Sequence, residues 1–173
     1  KIWAERIIVL PNNHNIILAA EQASHLSPKP MEVIKSESIP QGISALLSYN
    51  PEHDFEINVT TMNQSALTVV SGAICVAQRD VEISGVKATK GQIIGLLERE
   101  VVASGDDSTN VLIELVEKSE PGDGSLITLY WGADTLEEDA LEAAGTIRSN
   151  FKSVEVEVAF GGQPHYNYLV SVE

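Results

Sequence analysis

Cysteine is almost missing from this 173-residue chain. Cys75 is the one thiol, so no internal disulfide can form and no Cys pair is present to bind zinc. Long apolar runs are missing too. No stretch approaches the roughly 18 consecutive apolar residues a membrane-spanning helix needs, and no charged start leads into an apolar signal core. Together these features point to the cytoplasm. Basic residues are scarce: 11 Lys and Arg face 25 Asp and Glu, a formal charge of −14. A surface of that sign repels a phosphate backbone, which argues against nucleic acid as a partner. It would steer a basic protein, or the basic rim of one, toward itself, although solubility alone accounts for the overall charge.

Several kinds of chemical machinery are also lacking. There is no G-x-x-x-x-G-K-S/T loop, no G-x-G-x-x-G turn and no G-x-S-x-G elbow around Ser36 or Ser38. His14, His25, His53 and His165 are scattered without ligand spacing, so no metal is expected. Cys75 falls at an apolar strand position and reads as a buried structural residue. No catalytic residue and no cofactor are expected in this segment.

What is present is an α/β pattern. In IIVLPNNHNIILAAEQASHL, Ile7 to Leu26, a short apolar strand passes through an Asn-rich turn into a helix. Asn12, Asn13 and Asn15 can accept from the free N–H groups of the helix start and keep amide groups for a ligand or partner. MEVIKSE alternates like a second strand. Ser38 and Gln41 are spaced as a capping box, with Pro40 inside the first turn of a short helix ending at Leu47. Asn50-Pro51-Glu52 signals a further helix, in which Phe55, Val59, Met62, Ala66 and Val69 form one apolar stripe.

At about 72–105 the period changes to two, giving a β-rich middle segment of short strands turned at Gly85, Gly91 and Gly95. Arg79 and Asp80 read as a local pair, with an acidic partner or a phosphate as the alternative contact for Arg79. Asp107 or Ser108 starts a helix through Val111, Leu112, Leu115 and Val116, and Pro121-Gly122-Asp123-Gly124 ends it. LITLYWG reads as a buried strand. Thr135 with Glu138 forms a second capping box, before a helix that turns Leu136, Ala140, Leu141, Ala144 and Ile147 one way. VEVEVAF is the next strand; Gly161, Gly162, Gln163 and Pro164 form a turn that is equally readable as a plain hairpin or as a site. A final strand carries Tyr166 and Tyr168.

This order predicts one α/β domain over 1–173: a three-layer sandwich with a mostly parallel mixed sheet and a β-hairpin-rich insertion. If the Asn turn and the Gly161–Pro164 turn share one rim of one sheet, they form a single recognition edge with Gln41 and Gly42. Lys1 in place of Met, six residues before a strand, reads as a piece of a longer protein.

Taken together, IIVLPNNHNIILAAEQA, SIPQGISALL, KGQIIGLLEREVVASG and VEVEVAFGGQPHYNYLVSVE resemble the C-terminal domain of the bacterial fatty acid kinase A subunit, whose family is related to dihydroxyacetone kinase and also called Dak-phosphatase-like. The resemblance covers nearly the whole chain and implies a DegV-like fold. It further implies a division of labour. An N-terminal domain holds ATP and magnesium, while the C-terminal part docks a fatty-acid-binding carrier protein whose acyl group is phosphorylated. On that resemblance the chain is the docking module. A lipid-binding domain and a phosphatase-like enzyme stand as alternatives, and a homodimer is left open.

Overall fold

In the computed structural model, which describes residues 3–83 and 85–173, the chain groups into two compact units that meet in sequence between Val69 and Val70. Lys1 lies outside the described residues.

The first unit contains β1 (Ile7–Val9), α1 (His14–Leu26), β2 (Met31–Val33), α2 (Ile39–Leu47) and α3 (Phe55–Thr68). β1 and β2 pair in parallel, with Ile8 opposite Glu32. Ile34, Ala45, Met62 and Ala66 make its core, with Ile8, Leu10 and Val59 packed around them. The apolar spacing in the sequence therefore marks the buried face of α3. The start of α3 falls later than the Asn50 signal. Asn50 Oδ1 instead accepts from Glu52 N at 2.9 Å, and buried Asn58 donates from Nδ2 to Asn50 O at 2.8 Å, so residues 50–53 are a turn latched to the helix.

The second unit runs through β3 (Val70–Val76), β4 (Val81–Ile83), β5 (Val86–Ala88), β6 (Ile93–Leu97), β7 (Glu100–Gly105), α4 (Ser108–Lys118), β8 (Leu126–Trp131), α5 (Glu137–Asn150), β9 (Glu155–Phe160) and β10 (Tyr166–Val172). Six strands form one mixed sheet in the order β7-β6-β3-β10-β8-β9. Only β8 and β9 pair in parallel there; the other four pairings are antiparallel. This corrects the mostly parallel pairing expected from sequence. The alternation of helices and strands implied parallel crossovers, but β10 returns between β3 and β8 and meets both head to tail, a non-local pairing that no local signal announces.

The β-rich segment is likewise not an insertion. β3, β6 and β7 supply half of the sheet, and only the β4–β5 hairpin stands apart. Gly95 is not a turn residue. It sits inside β6, where an added Cβ would lie 3.2 Å from Val111 Cγ1, so its bareness lets α4 approach the sheet.

α4 and α5 share one face of the sheet. Leu112, Leu115, Val116, Ala140, Ala143, Ala144 and Ile147 bury against Ile74, Ile127, Leu129, Tyr168 and Val170. This unit thus has a single helical layer, where the sequence predicted three layers overall. Part of the other face carries the hairpin, through Ala77, Ala88, Ile94 and Val101. Asp107 caps α4 as expected, its carboxylate accepting from Asn110 N at 2.8 Å. α5 departs from its expected cap: Leu136 is the N-cap residue, and Thr135 Oγ1 donates to Asn167 O at 3.2 Å instead. Leu136 and Leu141 are exposed, so the apolar stripe of α5 is narrower than its spacing implied.

Candidate functional site

In the first unit, the carboxyl ends of parallel β1 and β2 lead directly into α1 and α2. Such an edge is where open α/β sheets gather ligands and partners. Asn13 is the N-cap of α1, its Oδ1 accepting from Asn15 N at 2.9 Å. Ser38 is the N-cap of α2, accepting from Gln41 N at 3.2 Å, while Gln41 Oε1 accepts from Glu37 N at 2.7 Å. The capping box read from sequence thus closes, shifted by one residue on its return bond.

Two contacts tie the turns together. Fully buried Ser36 donates from Oγ to Pro11 O at 2.5 Å, and His14 Nδ1 lies 2.7 Å from Glu37 Oε1. The structure therefore brings Asn12, Asn13 and Asn15 to one edge with Gln41 and Gly42. Asn12 and Asn15 are exposed there, while Asn13 and Gln41 are occupied in holding the edge. Ser36 and Glu37, which the sequence showed only as the end of the strand-like stretch MEVIKSE, are its fasteners.

Gly161, Gly162, Gln163 and Pro164 follow β9 in the second unit and belong to a different sheet from β1, so the expectation of one rim on one sheet is corrected. The reason lies in the pairing: among the described residues β1 has only β2 beside it, whereas β9 and β10 border β8. The turn is internally secured. Gln163 Nε2 donates to Tyr130 O at 2.8 Å, Gly161 N donates to Trp131 O at 2.9 Å, and Ala133 N donates to Gln163 O at 3.0 Å. An added Cβ at Gly161 would lie 2.0 Å from Gln163 Oε1, so a side chain there would displace the Gln163 amide, and Gly162 adopts φ +65°.

Gly132, which the sequence did not single out, is placed more tightly still: its added Cβ would meet Tyr166 O at 2.0 Å. The signal for it was a lone glycine at the end of an apolar strand. A bulge separates Tyr166 from Tyr168, so the two do not share a face. Tyr168 is buried, and Tyr166 is partly exposed.

The remaining candidates are chemically quiet. Arg79 is exposed in the loop after β3, and Asp80 accepts from Lys90 N at 2.8 Å rather than from Arg79. Burial pushes the Cys75 thiol up, which opposes thiolate formation and fits the structural reading. Tyr168 is pushed up to about 12, chiefly by burial and then by the charges of Asp139 and Asp107. Among the described residues, no three His, Cys, Asp or Glu side chains converge as a metal site would require, and every buried side-chain polar atom has a partner. Arg6 lies 5.1 Å over the Phe55 ring and 3.3 Å from Glu56, at the wall of an open cleft of about 600 Å3 that also contains Tyr49 and His53.

The mixed α/β architecture with helices over a central sheet is that of DegV-like proteins. A DegV family protein of Eubacterium eligens, solved loaded with heptadecanoic acid, matches 98% of this chain and 73% of its own length at a TM-score of 0.68 with 15% identity. The fatty acid kinase B3 protein of Streptococcus pneumoniae, solved loaded with linoleic acid, matches 99% of this chain and 72% of its own at a TM-score of 0.65 with 12% identity. At those identities the likeness concerns the fold. Sequence is more specific: the family model for the C-terminal region of proteins like the A component of fatty acid kinase matches residues 1–173. The chain belongs to that family. An uncharacterized protein of Staphylococcus aureus is 38% identical over 169 residues, 98% of this chain but 31% of the relative, so the chain spans about a third of that relative's length.

Proposed function

We propose that this fatty-acid-kinase-related module docks a fatty-acid-binding carrier protein and holds its acyl carboxylate for phosphorylation by a separate ATP-binding domain. Family membership supports the kinase setting. The observation that carries the docking role is the tied edge at the ends of β1 and β2. Buried Ser36 and the Asn13 cap fix two turns, and the amides of Asn12 and Asn15 stand exposed on them. A preformed edge loses little conformational entropy when a partner binds, and orienting the substrate is itself a contribution to rate. ATP and magnesium belong, in this reading, to a part of the longer relatives outside the matched stretch.

The test is calorimetric titration of the chain with an acyl-loaded carrier, in wild type and in an Asn12→Arg, Asn15→Arg double variant. Binding that weakens at least tenfold in the variant is expected. Absence of both heat and comigration on a sizing column overturns the proposal.

A second reading, in which the module itself encloses an acyl chain, draws on the fatty-acid-loaded neighbours of the same fold. Denaturing mass spectrometry of gently purified protein separates the two, since a bound acyl chain is expected only under the second.

A further inference from the structure

β9 is the terminal strand of the six-stranded sheet, and its parallel register fixes which of its main-chain groups face outward. Glu155 N donates to Ser125 O and Gly161 N donates to Trp131 O, so residues 155, 157, 159 and 161 point their peptide groups inward to β8. Val156, Val158 and Phe160 therefore present theirs outward. α5 covers the first of these carbonyls, Arg148 Nη2 donating to Val156 O at 2.6 Å. Among the described residues, the peptide groups of Val158 and Phe160 have no strand beside them on this edge, and a row of outward peptide groups of this kind is a template for another strand.

Side chains along this edge divide by face. Val156 and Val158 pack toward the helices, and Phe160 on the same face is 65% exposed, its ring 4.4 Å from that of Trp131. Glu155 and Glu157 are exposed on the opposite face. An incoming strand would meet an aromatic rim on one side and two carboxylates on the other. Acidic charge also dominates nearby in sequence: Glu137, Glu138, Asp139 and Glu142 on α5 stand against Arg148 and Lys152. A second copy of this chain, at −14, would bring the same negative field to the edge.

We propose that the outer edge of β9 is a docking site for an extended basic segment of a partner protein, which joins the sheet as a seventh strand. The segment alternates Lys or Arg, facing Glu155 and Glu157, with apolar residues facing Val158 and Phe160. Main-chain bonds supply the affinity, and the alternation supplies register and sign. This inference is independent of the Asn12–Asn15 edge and holds whether or not that edge binds a carrier.

The test uses the 173-residue chain and two short labelled peptides, one alternating lysine with valine and the other glutamate with valine, read by fluorescence anisotropy. The lysine peptide is expected to bind at least tenfold more tightly than the glutamate peptide, and less tightly as salt rises from low to physiological strength. Glu157→Lys should weaken it at least tenfold without unfolding the protein, because Glu157 is exposed. Val158→Pro removes an outward N–H that the sheet does not use and should abolish binding. Amide exchange at Val158 and Phe160 should slow when the peptide is added. Equal binding of both peptides, unaltered binding in Glu157→Lys, unchanged exchange at these two amides, or a β9-mediated dimer of the chain alone would overturn the proposal.

Discussion

Replacing Gly132 by Ala tests how the second unit holds its 161–167 loop, which joins strands on opposite sides of β8 and is therefore not a hairpin. The added methyl would sit 2.0 Å from Tyr166 O and 2.9 Å from Gln163 O, and both obstacles are backbone, so no side-chain rotation relieves them. Overpacking of this kind costs about 1–3 kcal/mol. If the loop yields, the bonds from Gly132 N and Thr135 Oγ1 to Asn167 O and from Ala133 N to Gln163 O stretch, at roughly 1 kcal/mol each. A loss of about 3–5 kcal/mol follows, a large share of the roughly 5–15 kcal/mol a domain has. Urea unfolding reports it, followed through Trp131 in a Trp3→Phe background so that the second unit is read by its own tryptophan. With a slope of about 1–3 kcal/mol per M, a midpoint lowered by about 1–5 M at unchanged slope is expected. A loss below about 1 kcal/mol would refute the claim that this close approach is rigid. Gly145→Ala is the matched control: Gly145 lies within α5 with nothing within 4 Å of an added Cβ, so the same measurement should show a gain of about 0.5–1 kcal/mol.

Asn13→Ala should cost about 1 kcal/mol in thermal unfolding because it removes the α1 cap, while exposed Asn12→Ala should leave stability within about 0.5 kcal/mol. Tyr168 gives a pH signature. Its folded value is raised to about 12 against an ordinary value of 10, so between those limits the unfolded chain gives up its phenolic proton first. The contribution is fully present below pH 10 and is lost as pH rises toward 12. Absorbance at 295 nm should show late-titrating tyrosines, among them Tyr130, which burial also pushes up, and one of these should disappear in Tyr168→Phe, whose stability should fall less steeply over that range.

Local structure was legible in the order of residues alone. Period-two runs marked the strands, and three-and-four spacing marked the buried faces of α3 and α4. Asn13, Ser38 and Asp107 marked helix starts, because capping is settled within a few residues of the chain. It also carried the family, through long stretches matched in order. Where local rules and neighbours competed, the neighbours won. Thr135 looked like a cap but hydrogen-bonds Asn167 on a strand 32 residues away, and Asn50 looked like a helix start but is held by Asn58. A bulge at Asn167 likewise put Tyr166 and Tyr168 on different faces of one strand, which strict alternation along a strand does not foresee.

Which strands meet was settled by the folded arrangement. Placement of β10 between β3 and β8 made the sheet largely antiparallel, turned the β-rich segment into half of it, separated the two polar turns onto different sheets and left β9 at an open edge. Strand partners are chosen by main-chain hydrogen bonding and by burial of one whole face at a time. These terms depend on residues far apart in sequence, and no window of neighbouring residues contains them.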